Sequence, residues 1–153
     1  MREIKFRAWS IKGKTMWYMN KQMKLSIEGD SWQIRDDVIG NRFMCSWHED
    51  EKGILMQFTG LKDKNGKEIH EGDIVSTLED GNLEVIFQDG MFGCITCRPQ
   101  SNENGTEYYD EFVPLNDLID VGYWGSTDGF KKPVFTLEVI GNIYENPELL
   151  KEA

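Results

Sequence analysis

"FTGLKDKNGKEIHEGDIV", residues 58–75, decides how this chain is built. It opens on a strand: in "ILMQFTGL", residues 54–61, Ile54, Met56 and Phe58 share one face, with Leu55 and Gln57 on the other. Asp63-Lys64-Asn65-Gly66 then reads as a hairpin turn. Asn and Gly tolerate positive φ, which a type I′ turn or a type I turn with a G1 bulge requires. "EGDIVSTL" resumes an extended run, with Gly72 placed to break regular pairing just before Ile74.

The same grammar continues downstream. Glu79-Asp80-Gly81-Asn82 is a turn, and "LEVIF" sets Leu83, Val85 and Phe87 on one face of a strand. Gln88-Asp89-Gly90 is the next turn, "MFGCITC" the next strand, and "SNENGTEYYDE" a polar loop. "VPLNDLID" has room for one helical turn, and "GYWGSTDGFKKP" is another glycine-rich loop. The closing strand, "VFTLEVIGNIY", puts Phe135, Leu137, Val139 and Ile143 on one face. Asn146 and Pro147 then suit the start of a short terminal helix.

Upstream, "REIKFRAW" and "KTMWYM" flank the turn residues of "SIKG" and predict a β-hairpin. "MKLSI", "SWQI" and "NRFMCSW" read as further short strands. The charged run "HEDEKG" separates two halves, a β-rich N-terminal subdomain over 1–50 and a barrel-like one over 54–153. Short strands, Gly-rich turns and no helical stripe predict a mainly β fold. The C-terminal half is expected to be an antiparallel meander closing into a barrel or sandwich, with one or two short helices in the chain. By analogy with the turn and strand entry "DKNG…EGDIV", a small SH3-like barrel is the expected form.

At 153 residues, 39% hydrophobic and 12% aromatic, the chain is long enough to bury a core without disulfides. Three cysteines make no disulfide framework, and no apolar run has membrane-spanning length. The expectation is a cytoplasmic protein with no membrane association. Seventeen basic against 27 acidic residues give a net charge of −10, a field that repels phosphate backbones.

"FRAW", "MQFTGLKDKNGKEIHEGDIV", "VIFQDGMF" and "LEVIGNIYENPELL" together resemble the YopX family of phage and prophage proteins. The resemblance runs from the first residues to the terminal helix and is weakest over 20–50 and 98–130. It implies a small, predominantly β protein encoded by a phage or prophage and working inside a bacterial host cell. That family has no established activity, so it implies no catalytic residues.

The residues themselves carry little chemistry. Cys94-Ile95-Thr96-Cys97 is a CxxC, but a zinc site needs four ligands and no second CxxC exists. On a regular strand, moreover, these two cysteines point to opposite faces. His48 and His70 are the two histidines, and His70 reads as a solvated residue at a loop edge. Asp63, Asn65 and Lys67 begin like a calcium loop and fail at the third ligand position. Neither glycine cluster is followed by a helix that could hold a phosphate. No metal, no cofactor and no enzymatic activity are expected.

Binding is the remaining class. Tyr108, Tyr109, Tyr123 and Trp124 lie in polar or glycine-rich loops, where aromatics serve contact surfaces. The expected function is a non-enzymatic, protein-binding accessory module in a homo-oligomer, with a host or phage protein as partner. A second reading, nucleic-acid binding, rests on a basic N-terminal stripe led by Lys5 and Arg7 with Lys12, Lys14, Lys21 and Lys24. The third is an acidic DNA mimic that inhibits a host enzyme, which requires its carboxylates to form rows.

Overall fold

The turn at the centre of the opening stretch closes tightly in a computed structural model of the chain. The structure describes residues 3–21, 23–36, 53–78, 80–118 and 136–151, and 42–46 through their backbone. Tyr123, Trp124, His48 and Phe135 therefore lie outside the described residues. The fold is mainly β, with a curled sheet that forms half a barrel. The chain divides into two compact units, Met1–Gly60 and Leu61–Ala153.

In the first unit, β1 (Phe6–Ser10) and β2 (Thr15–Tyr18) form the expected hairpin, with Ala8 opposite Trp17. β6 (Ile54–Lys62) lies on the other side of β1, with Ala8 opposite Leu55. β3 (Met23–Glu28), β4 (Ser31–Asp36) and β5 (Arg42–Ser46) make a second, antiparallel sheet. Alternation decides what is buried: Trp32 and Ile34, two apart on β4, face the core with Ala8. Trp17, Met19, Met23, Leu25 and Leu55 pack around them.

The second unit begins where β6 runs past Gly60 into the Asp63–Gly66 turn and β7 (Glu68–His70). The Gly66 N–H donates to Asp63 O at 2.9 Å and the Asp63 N–H to Lys67 O at 2.8 Å, with Gly66 at φ 82°. Lys64 and Asn65 keep negative φ, so the turn is type I with a G1 bulge. β8 (Asp73–Ser76) lies between β9 (Asn82–Glu84) and β13 (Glu138–Asn142), which carries a bulge between Val139 and Gly141. β10 (Ile86–Gln88), β11 (Met91–Asn102) and β12 (Gly105–Pro114) form a separate antiparallel sheet. The core comprises Ile69, Val75, Val85, Cys94, Leu115, Leu118, Leu137 and Val139. Burying a side chain of this kind contributes about 1.5–3 kcal/mol.

Three expectations need correction here. "LEVIF" is not one strand: the Val85 N–H donates to Asp73 O and Val85 O accepts from the Gly72 N–H, both at 2.8 Å. Those bonds pin Val85 between two sheets, so Leu83 stays with the core and Phe87 ends up exposed. "SNENGTEYYDE" is not a loop. It is the tip and second strand of a long hairpin, paired from Asn102–Gly105 to Gly93–Pro114. Finally, the terminal helix is a single 3-10 turn, Pro147–Leu150, without a side-chain cap from Asn146, and Pro114–Leu118 forms a turn.

Candidate functional site

Asp63 and Asp73 bracket the opening stretch, and both carboxylates are turned to the backbone. Asp63 Oδ1 accepts the N–H groups of Asn65 at 2.8 Å and Lys67 at 2.9 Å. Its Oδ2 accepts the buried Val139 N–H at 3.0 Å, and the Lys64 N–H reaches Leu137 O at 2.9 Å. Burial alone raises this carboxyl. The three N–H bonds, from Val139, Lys67 and Asn65, together with the Lys67 charge, outweigh it and hold the group below its ordinary value. The residues that resembled a calcium loop thus form a knot fastening the β6–β7 turn to β13.

Asp73 Oδ2 accepts the His70 N–H at 2.7 Å, and His70 is only 4% exposed. The solvated histidine read from the sequence is therefore a buried one. The reason is local: the Glu71-Gly72 turn folds the Asp73 carboxylate back over the end of β7.

Along β11, Cys94 is buried and Cys97 is exposed on the opposite face, as a regular strand requires. Burial first, then the charges of Glu84 and Asp80, pushes the Cys94 thiol up to about 12. At neutral pH it is a thiol, not the thiolate that nucleophiles and metal ligands need. Among the described residues no group of three or more His, Cys, Asp or Glu is placed to hold a metal.

The basic residues do not form one stripe. Arg7 is 2% exposed and lies within β1, so it presents no guanidinium to a surface ligand. Lys12 and Lys14 are at the β1–β2 turn, while Lys5 and Lys21 are at the open end of that hairpin. There Lys5 and Lys21 border a cleft of about 540 Å³ with Phe6, Met19 and Leu25 on its walls. Lys5 Nζ is 3.2 Å from Glu3 Oε2 and 5.6 Å from the Phe58 ring centre. Two lysines with a carboxylate beside one of them make a mixed, weakly positive rim.

The loop aromatics fare differently. Tyr108 is 71% and Tyr109 45% exposed, on opposite faces of β12. They belong to a two-stranded ribbon, and every side chain from Pro99 to Glu111 is exposed. Its root is braced: Arg98 bonds Asp80 at 3.0 Å and lies 3.8 Å from Glu111. The Phe112 ring lies over Gly93, where a Cβ would come within 2.5 Å of the ring and 2.4 Å of Val113 O. Among the described residues, the strands beyond Arg98 hold only each other. An isolated two-stranded hairpin is marginal in water, so the braced root has to hold this one. Alternation concealed it in the sequence, because Glu107, Tyr109 and Glu111 face one way and Tyr108, Asp110 and Phe112 the other. An apolar period would have exposed the strand, but neither face is apolar throughout.

Comparison with known proteins agrees with this architecture. The YopX family model matches residues 5–151. The crystal structure of yopX from Bacillus subtilis superposes with a TM-score of 0.55 at 22% identity, covering 98% of this chain and 97% of that one. Protein EF1440 from Enterococcus faecalis is 25% identical over 98% of this chain and 99% of that one, with a TM-score of 0.43. No curated protein matches. The chain belongs to the YopX family. No helix among the described residues is long and apolar enough to cross a membrane.

Proposed function

We propose that this YopX-family chain is a non-enzymatic accessory module that binds another protein, with the β11–β12 ribbon as its contact surface. The observation that carries this reading is the pair of exposed tyrosines, one on each face of a ribbon whose side chains from Pro99 to Glu111 are all exposed. Tyrosine offers a large, stiff contact area and a hydroxyl, so it is enriched where proteins bind. The buried, protonated Cys94 and the buried His70 support a role without catalysis. In this reading the second unit is a small SH3-like barrel whose ribbon reaches out to a host or phage protein in the bacterial cytoplasm. A homo-oligomer would assemble through other surfaces.

The burial of Arg7 counts against the nucleic-acid alternative. Glu107, Asp110 and Glu111 share a single strand, opposite Gln100, Cys97 and Thr96, which is not the paired-row arrangement of a duplex mimic. The test is a photo-crosslinking residue at position 108, irradiated in bacterial host lysate, with the same residue at exposed Lys12 as control. A discrete adduct at 108, weakened by Tyr109→Ala and missing at 12, is the expected result. No adduct, or the same adducts at both positions, would overturn the proposal.

A further inference from the structure

Hydrogen-bonded and open residue pairs alternate along an antiparallel ladder. The Leu115 N–H donates to Phe92 O at 3.0 Å, so Phe92 and Leu115 are a bonded pair. Counting from there along the register, Ile95–Phe112, Cys97–Asp110, Pro99–Tyr108 and Ser101–Thr106 are open pairs. Pro99 agrees with this count, since it has no N–H to give to a partner strand. The N–H and C=O groups of Thr106, Tyr108, Asp110 and Phe112 therefore face away from β11. β12 is the last strand of its sheet among the described residues.

The two edges of the ribbon differ. On β11 the open edge is blunted by Pro99, a common guard against strand addition. The β12 edge carries no proline between Gly105 and Val113. It carries Glu107, Asp110 and Glu111 instead, with no basic side chain on that strand. Pairing this edge antiparallel with a second copy would set carboxylate against carboxylate, directly or on the diagonal, which destabilises the pairing. The charge thus selects against self-association and for a strand of opposite sign.

We infer that the β12 edge from Thr106 to Phe112 is a docking edge for an extended basic segment of a partner protein, which adds as a further strand beside β12. The inference rests on the protein-binding reading and names the chemistry of its partner. Backbone bonds to Tyr108, Asp110 and Phe112 supply affinity, and the side chains supply choice. On one face, cationic residues of the segment lie against Glu107, Tyr109 and Glu111, with Tyr109 giving a ring for a cation–π contact. On the other, apolar residues lie against Tyr108 and Phe112, which flank Asp110 on that face.

A decapeptide of alternating lysine and valine has this pattern, and its fluorescent form can be titrated against the full chain by anisotropy. Saturable binding is expected that weakens at least tenfold between 50 and 300 mM salt, chosen as test conditions on the basis of screening. It should be lost in the Glu–Val analogue and in a peptide N-methylated at alternate amides. Asp110→Pro places a proline where the N–H faces outward, a position an edge strand tolerates. It should abolish binding with an unchanged circular dichroism spectrum. Amide exchange at Tyr108, Asp110 and Phe112 should be fast in the free chain and slowed by the peptide.

Three results would overturn the inference. One is binding that survives N-methylation, which is adhesion by charge alone. Another is no binding by the Lys–Val peptide. The third is slow exchange of those amides in the free chain, which means the edge is already covered by this chain or a second copy, with light scattering telling which. The cross-link at position 108 is read separately, so the protein-binding reading can stand when the edge inference falls.

Discussion

Two hairpin tips in the second unit are written in nearly the same letters and do opposite things. "DKNG", residues 63–66, and "NENG", residues 102–105, each place an Asx side chain on the N–H two residues on: Asn65 to Asp63 Oδ1 and Asn104 to Asn102 Oδ1, both at 2.8 Å. Each ends on a positive-φ glycine. Yet the first tip is knotted to β13 through the second oxygen of Asp63, and the second stands in solvent with every side chain exposed. The turn motif fixes the reversal of the chain. What the tip then does depends on whether a spare acceptor meets a strand that needs one.

The largest expected effect tests that difference directly. Asp63→Ala leaves three N–H groups without their carboxylate, one of them buried, and should cost about 3 kcal/mol in urea unfolding. Asn102→Ala, losing one exposed bond, should cost less than about 1 kcal/mol. The pH dependence has a definite sign. The folded Asp63 carboxyl lies below its ordinary 3.8, so its contribution is complete above that value and is lost as pH falls through the folded one. The Asp63→Ala chain should therefore lose less further stability than the parent as pH falls below 3.8. Equal costs at the two tips would mean that the knot is decoration.

The same contrast shows how much was legible beforehand. A strand such as β6, which buries Met56 and Phe58 and leaves Leu55 and Gln57 half-exposed, stood out because period-2 apolar alternation marks a half-buried strand. The turn at 63–66 was legible from its residue types, but its attachment to β13 was not, since the partner lies about 75 residues away in the chain. β12 was missed because solvent on both faces erases the period. Val85 misled for the converse reason: the strand pattern continues through it, while the hydrogen bonds to Gly72 and Asp73 send the two halves to different sheets. Arg7 failed as a residue type usually exposed that here lies between Tyr18 of β2 and Met56 of β6, and His70 because the turn that follows folds back over the end of β7. Of the proposed site, Tyr108 and Tyr109 were named from the sequence, but the edge they share was not.

A smaller effect separates the root of the ribbon from its arm. Gly93 lies under the Phe112 ring, and a methyl group there meets Val113 O, which is backbone and does not swing aside. Gly93→Ala should cost about 2 kcal/mol in thermal or urea unfolding, within the range for overpacked sites. Gly90→Ala is a control for glycine loss alone, since nothing lies within 4 Å of a Cβ there and its cost comes from positive φ. If Gly93→Ala is neutral, the ribbon is not anchored by this contact, and the Arg98 bond to Asp80 with its ion pair to Glu111 is what holds it.

The smallest effect compares two glutamates. Glu84, half-buried on β9, has its carboxyl raised above the ordinary 4.5, first by burial and then by the charge of Glu71. A raised carboxyl holds its proton in the folded chain while the unfolded chain has released it. Stability therefore falls as pH rises from 4.5 through the folded value, and below 4.5 the penalty is absent. Glu84→Gln should be more stable than the parent at pH 7 and indistinguishable from it below 4.5, by unfolding at both pH values. Glu107→Gln, on the exposed ribbon, should change stability by less than about 0.5 kcal/mol at either pH. Its effect belongs in the peptide titration, where one carboxylate fewer weakens binding. A glutamate that acts on folding but not on binding, and another that does the reverse, would place the packed region and the ribbon under different selection.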